Sequence, residues 1–166
     1  LRLQRAMARA FKVQGRKFVQ GFGVLRGRFQ EAGSGPWWRV RPQGRALREA
    51  IHEDDWLRIF DVATQETVEL FFDPIQAAAR AALSAGAGAT LAEVEIDIAF
   101  NLANPRAVAY LDEHGYGLIS QINEVTRGNI ATIVSNGVDE GWSYNRMARE
   151  ISSLYSEMAV GKPQAH

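Results

Sequence analysis

Residues 130–155 read IATIVSNGVDEGWSYNRMAREISSLY, and they decide the fold. Apolar residues recur every three or four positions on both sides of a short break, the spacing of one face of an α-helix. The break holds Gly141, Trp142 and Ser143. Gly141 stands where a helix ends on a left-handed residue, which only glycine adopts without a steric penalty. Ser143 is placed to cap the next helix, because its side-chain oxygen can accept from a free backbone N–H of the first turn. Trp142 lies between the two and is expected to wedge against both. Gly137 is expected to stay helical and to let its neighbours approach closely. The stretch therefore predicts an αα-corner built for shape.

Working outward, the same periodicity covers most of the chain, so the fold class is mainly α, with several packed helices and at most one short strand or hairpin. After the corner, Ala148, Ile151, Tyr155 and Met158 face one way. Before it, Leu118, Ile122, Val125, Asn129 and Ile133 form one line, widened by Ile119, Thr126 and Ile130. Asn104 and Pro105 read as cap and first position of a short helix ending near His114-Gly115. VEIDIAF, residues 94–100, alternates and is read as the one strand or extended segment. Asp73 and Pro74 read as the start of another helix, ended by SAGAGAT at residues 84–90, and Thr90 with Glu93 as a capping box. Residues 45–72 read as one long helix. Residues 1–32 read as a helix broken near Gly21–Gly23, and GSGPWWRVRPQG, residues 33–44, as a loop.

Charge divides the chain. Net charge is zero over 166 residues. Yet residues 1–50 hold 12 Lys/Arg against 2 Asp/Glu, and the rest holds 7 against 17. Such a split implies two surfaces with different partners, or a basic segment laid on its own acidic half. The expected organisation is a basic N-terminal arm with its tryptophan loop at 1–44, a helical body at 45–160, and a tail at 161–166 that continues into a further C-terminal region. Arg2, Arg5, Arg9, Lys12, Arg16 and Lys17 are the candidate cations of the arm, suited to phosphate backbones. Trp37 and Trp38 are candidate anchors on a partner, or rings tucked onto their own domain.

The chemistry-bearing residues are sparse. With no cysteine and three histidines there is no zinc signature, and disulfides are excluded. His52 and Asp55 stand one turn apart without a third ligand, which reads as a solvated acidic helix face. Ser143 lacks the glycine and the strand of a nucleophile elbow. No catalytic constellation and no cofactor are expected. No apolar run approaches the roughly 20 residues that span a bilayer. A DNA-reading helix-turn-helix is weakened by the second helix, whose basic residues are Arg146 and Arg149 beside Glu150.

The segment NPRAVAYLDEHGYGLISQINEVTRGNIATIVSNGVDEGWSYNRMAREI resembles the Mu F-like minor head proteins of tailed phages, the head morphogenesis family. The pattern is Asn104-Pro105, Tyr110-Leu111, Ile119, Ile122, Thr126 and Ile130, followed by Gly137-x-x-x-Gly141-x-Ser143-x-x-x-x-Ala148-x-x-Ile151. The resemblance covers roughly residues 95–157. The family commonly continues into Arg-Ala and then Ala-Arg-Thr-Glu, a run absent before GKPQAH. It implies a non-enzymatic virion protein at the portal vertex, present in the host cytoplasm during assembly. Its partners would be the portal protein, capsid components and non-specific double-stranded DNA, with copies around the portal ring. The alternatives are a helical DNA-binding module of the regulator kind, or a fragment of a larger enzyme.

Overall fold

The computed structural model describes residues 2–33, 43–93 and 105–160. Among them the chain is helical apart from short breaks at 51–52, 66–67 and 140–143: α1 Arg2–Phe22, a 3-10 turn Gly23–Leu25, α2 Arg26–Gly33, α3 Gln43–Ala50, α4 Glu53–Gln65, α5 Val68–Glu93, α6 Pro105–Asp139 and α7 Tyr144–Val160. The mainly α fold class therefore holds. Trp37, Trp38, the expected strand at 94–100, Asn104 and the tail at 161–166 lie outside the described residues.

α1 is the spine of the molecule, which corrects the boundary drawn at residue 44. Its inner face carries Ala10, Phe11, Gln14, Gly15, Phe18 and Phe22, all buried. That face packs on α4, α5 and α7. Phe18 and Phe22 stack at 5.8 Å, and Phe11 meets Phe71 of α5 edge-on at 5.1 Å. Residues spaced three and four apart place these rings on one side, so an N-terminal segment this aromatic folds inward and not outward. Gly15 has its own role: an added Cβ would stand 2.6 Å from Cγ of Tyr155 in α7. The missing side chain sets how closely the two helices approach. Gln14 is buried as well, and its amide donates to Thr64 Oγ1 at 3.3 Å and Asn123 Oδ1 at 3.2 Å. It ties α1 to α4 and α6 at once.

The break expected near Gly21–Gly23 is present as the 3-10 turn. The expected long helix over 45–72 is instead three pieces. At Ile51–His52 the chain leaves α3, and the His52 N–H donates to the Asp55 carboxylate at 3.0 Å, starting α4. That N–H, with the Arg28 guanidinium that pairs with it, holds the Asp55 carboxyl below its usual range. At Glu66–Thr67 a turn separates α4 from α5, and the buried Thr67 hydroxyl donates to the Ala63 carbonyl at 2.7 Å.

α5 starts at Val68, so Asp73 and Pro74 do not begin a helix and Pro74 sits inside one. Phe71 is buried and Phe72 packs on the same core, so tertiary contacts extend the helix back past the proline. Residues 84–90 likewise lie within α5, and Thr90 opens no new helix. α6 runs unbroken through His114 and Gly115 to Asp139, against the short helix expected there. Gly115 lies close against Phe72: a Cβ there would stand 3.1 Å from the Phe72 ring. Phe72 also stacks on Tyr116 at 4.3 Å.

The core line of α6 is rotated from its expected axis. Ile119, Thr126, Ile130, Val134 and Val138 are buried, whereas Leu118 is 49% and Val125 61% exposed. At its far end the Val138 and Asp139 carbonyls meet Gly44 of α3, where a Cβ would stand 2.8 and 2.5 Å from their oxygens. Arg48 pairs with Asp139 at 3.1 Å.

Candidate functional site

The corner is built as its sequence dictates. Gly141 has φ 70°, the left-handed conformation. The Trp142 N–H donates to the Gly137 carbonyl at 2.7 Å, and the Gly141 N–H to the Val138 carbonyl at 3.3 Å. Together these form a Schellman cap. Ser143 Oγ accepts from the Arg146 N–H at 3.3 Å and so caps α7. Gly137 stays helical and buried, and a Cβ there would lie 2.5 Å from Met147 Cε and 2.9 Å from the Trp142 ring. Trp142 is the wedge. Its Nε1 donates to Glu140 at 2.7 Å, and the Arg146 guanidinium stacks on its ring at 3.9 Å. Arg146 also pairs with Glu140 at 3.7 Å. The corner is rigid structure, and its cation is already engaged.

The cations of α1 divide into two groups. Lys17 pairs with Glu66, in the turn that follows α4, at 2.5 Å. Arg28 and Arg48 likewise pair with Asp55 and Asp139, so part of the basic segment does lie on the acidic half. Arg2, Arg5, Arg9, Lys12 and Arg16 are different: all are exposed, and none pairs with a described residue. At about 100° per residue their five positions fall within an arc of roughly 80° on α1. The stripe they form is about 21 Å long at the α-helical rise.

The stripe borders a groove. Lys12, Gly15, Arg16 and Gln20 of α1 face Ser152, Tyr155 and Ser156 of α7 across a cleft of about 640 Å3. An adjoining hollow of about 500 Å3 shares Val19 and Ser152 and adds Asn145, Ala148 and Arg149. Their lining mixes cations and small polar groups with Val19, Ala148 and Tyr155, and holds no carboxylate among the described residues. Ser152 and Ser156 donate to the carbonyls four residues back, at 2.9 and 2.8 Å, which keeps the α7 wall short and uncharged.

The structure thus brings Arg2, Arg5, Arg9, Lys12 and Arg16 together, and sets Lys17 apart in an ion pair. Gly137, Gly141, Trp142 and Ser143 form one unit remote in role from that stripe. Sequence reasoning passed over Arg149, Asn145, Gln20, Ser152 and Ser156 as groove residues. Serines at 152, 153 and 156 inside a helix were the available signal, since serine is a poor interior residue unless something else uses the face.

Among the described residues no group of three or more His, Asp or Glu is placed to hold a metal ion. No described helix is long and apolar enough to cross a membrane. Comparison with family models, with curated proteins and with solved structures gives no match.

Proposed function

We propose that the chain is a non-enzymatic minor head protein of a tailed phage, docking at the portal vertex and serving head assembly, DNA packaging or genome ejection. The observation that carries this reading is the corner. In the run Gly137-x-x-x-Gly141-x-Ser143-x-x-x-x-Ala148-x-x-Ile151, fixed positions each have a separate geometric task. Gly137 admits Met147 and Trp142, Gly141 takes the left-handed turn, Ser143 caps, and Ile151 is buried. A pattern in which spacing and geometry agree supports the resemblance more than the same residues scattered through a helix would.

The test is binding to the portal oligomer of the phage that encodes the chain. The wild-type chain is expected to bind, and Trp37→Ala with Trp38→Ala to weaken binding by about 2 kcal/mol or more at unchanged circular dichroism. A folded double variant that binds as tightly removes the tryptophans as anchors. A wild-type chain that does not bind overturns the head-protein reading.

A second reading, a helical module that binds duplex DNA without sequence preference, is favoured by the exposed, unpaired stripe of α1. The regulator form of it loses support, because the exposed Arg146 is engaged by Trp142 and Glu140, which leaves Arg149 as the α7 cation with no carboxylate partner among the described residues.

A further inference from the structure

The geometry points to the cleft between α1 and α7 as the track of one phosphodiester strand of duplex DNA, gripped by Lys12 and Arg16 from one wall and Arg149 from the other. This rests on the second reading above and assigns its contact surface, including a cation outside the N-terminal stripe.

Three observations carry it. First, the stripe is linear and uniform in sign. Five unpaired cations spread over about 21 Å match the length of about six phosphates of one strand, at about 3.4 Å of axis each. An acidic protein rim presents carboxylates without that regular spacing. Second, the wall opposite is permissive. The α7 residues on the cleft are Asn145, Ala148, Arg149, Ser152, Tyr155 and Ser156, none of them acidic. Glu150 and Glu157 project from α7 about 140° or more around the helix from Ser152. A strand in the cleft therefore meets donors and short side chains, and the α7 carboxylates stay off its path. Third, Arg149 is available. It is exposed, and its Nε donates to the Asn145 carbonyl at 3.3 Å, which braces the side chain and leaves the terminal nitrogens of the guanidinium to an anion. None of the residues lining the cleft is held in an ion pair among the described residues, so an entering phosphate displaces none.

The experiment is the salt dependence of binding to a random-sequence 30-base-pair duplex, with the full chain. Six cations, Arg2, Arg5, Arg9, Lys12, Arg16 and Arg149, predict a slope of log K against log salt near −5. Arg149→Gln is expected to reduce the slope by roughly 0.9, and Lys12→Gln with Arg16→Gln by roughly 1.8. Arg58→Gln, an exposed cation on α4, is expected to leave it unchanged. All these side chains but none of the core are altered, and thermal melts confirm that each variant stays folded. If Arg149→Gln leaves the slope intact, or Arg58→Gln lowers it equally, the groove assignment is overturned. If neutralising Arg2, Arg5 and Arg9 weakens binding while the groove variants do not, DNA binding stands and the cleft is not its track. If the duplex does not bind and polyglutamate does, an acidic protein is the partner and both readings fall.

Discussion

At Gly141 one backbone angle decides whether α6 and α7 meet. A β-branched residue resists the left-handed region, so Gly141→Val should cost on the order of 1–2 kcal/mol. Thermal melts of the two proteins check this, and an unchanged melting temperature would contradict the cap. Tyr155 makes a different prediction. Its ring is buried and its hydroxyl has no hydrogen-bond partner among the described residues, and burial pushes the phenol above its ordinary value of 10.0. The folded chain keeps a proton that the unfolded chain releases above about pH 10, so stability held below that pH is lost as pH rises. Tyr155→Phe should flatten this alkaline loss and cost less than about 1 kcal/mol near neutrality, because no bond is broken. Urea midpoints at pH 7 and above pH 10 measure both. Gly141 and Ser143 were legible in the sequence because caps are local. Gly15 and Gly44 were not, since what needs their missing Cβ is Tyr155 in one case and the end of α6 in the other. No local rule links residues so far apart.

Among the elements, α5 shows most plainly how tertiary packing overrides a local signal. Pro74 lacks an N–H for the carbonyl four residues back and strains a helix interior. The chain accepts this because Phe71 and Phe72, just before it, are anchored in the core. Pro74→Ala should therefore stabilise the protein by about 1–3 kcal/mol, read as a raised denaturation midpoint with unchanged helical circular dichroism. A lowered midpoint would mean that the ring's own packing outweighs the strain. The same override explains the continuous α6. Asn-Pro did mark its neighbourhood correctly, and Pro105 is its first residue. His114-Gly115 suggested an end only because Phe72 of α5, which packs on Gly115, was invisible. The stripe of α6 was displaced for a related reason: its apolar residues spread widely around the helix, and the choice of buried side was made by α5, α3 and α7.

For the whole molecule, the charge split was the most informative sequence feature and also the most misleading. It located the cations of α1 correctly but suggested a detachable arm. One turn of that helix holds both exposed Arg16 and buried Phe18. The expected arm is thus a strut that is basic outside and aromatic inside. Removing residues 1–22 should abolish cooperative unfolding instead of leaving a folded body, because α4, α5 and α7 all lose their common partner. A deletion variant that melts sharply would restore the arm.

That strut also has a consequence in time. Gln14 reaches Asn123 across 109 positions of sequence, and Gly15 waits for Tyr155 beyond that. At about 5–20 residues per second, α1 leaves the ribosome roughly 7–28 s before α7 follows it. Throughout that interval the phenylalanines of the nascent spine have no α7 to cover them. Folding, both during synthesis and from denaturant, should be slower and more dependent on chaperones than the purely helical content suggests, since long-range closure sets the pace.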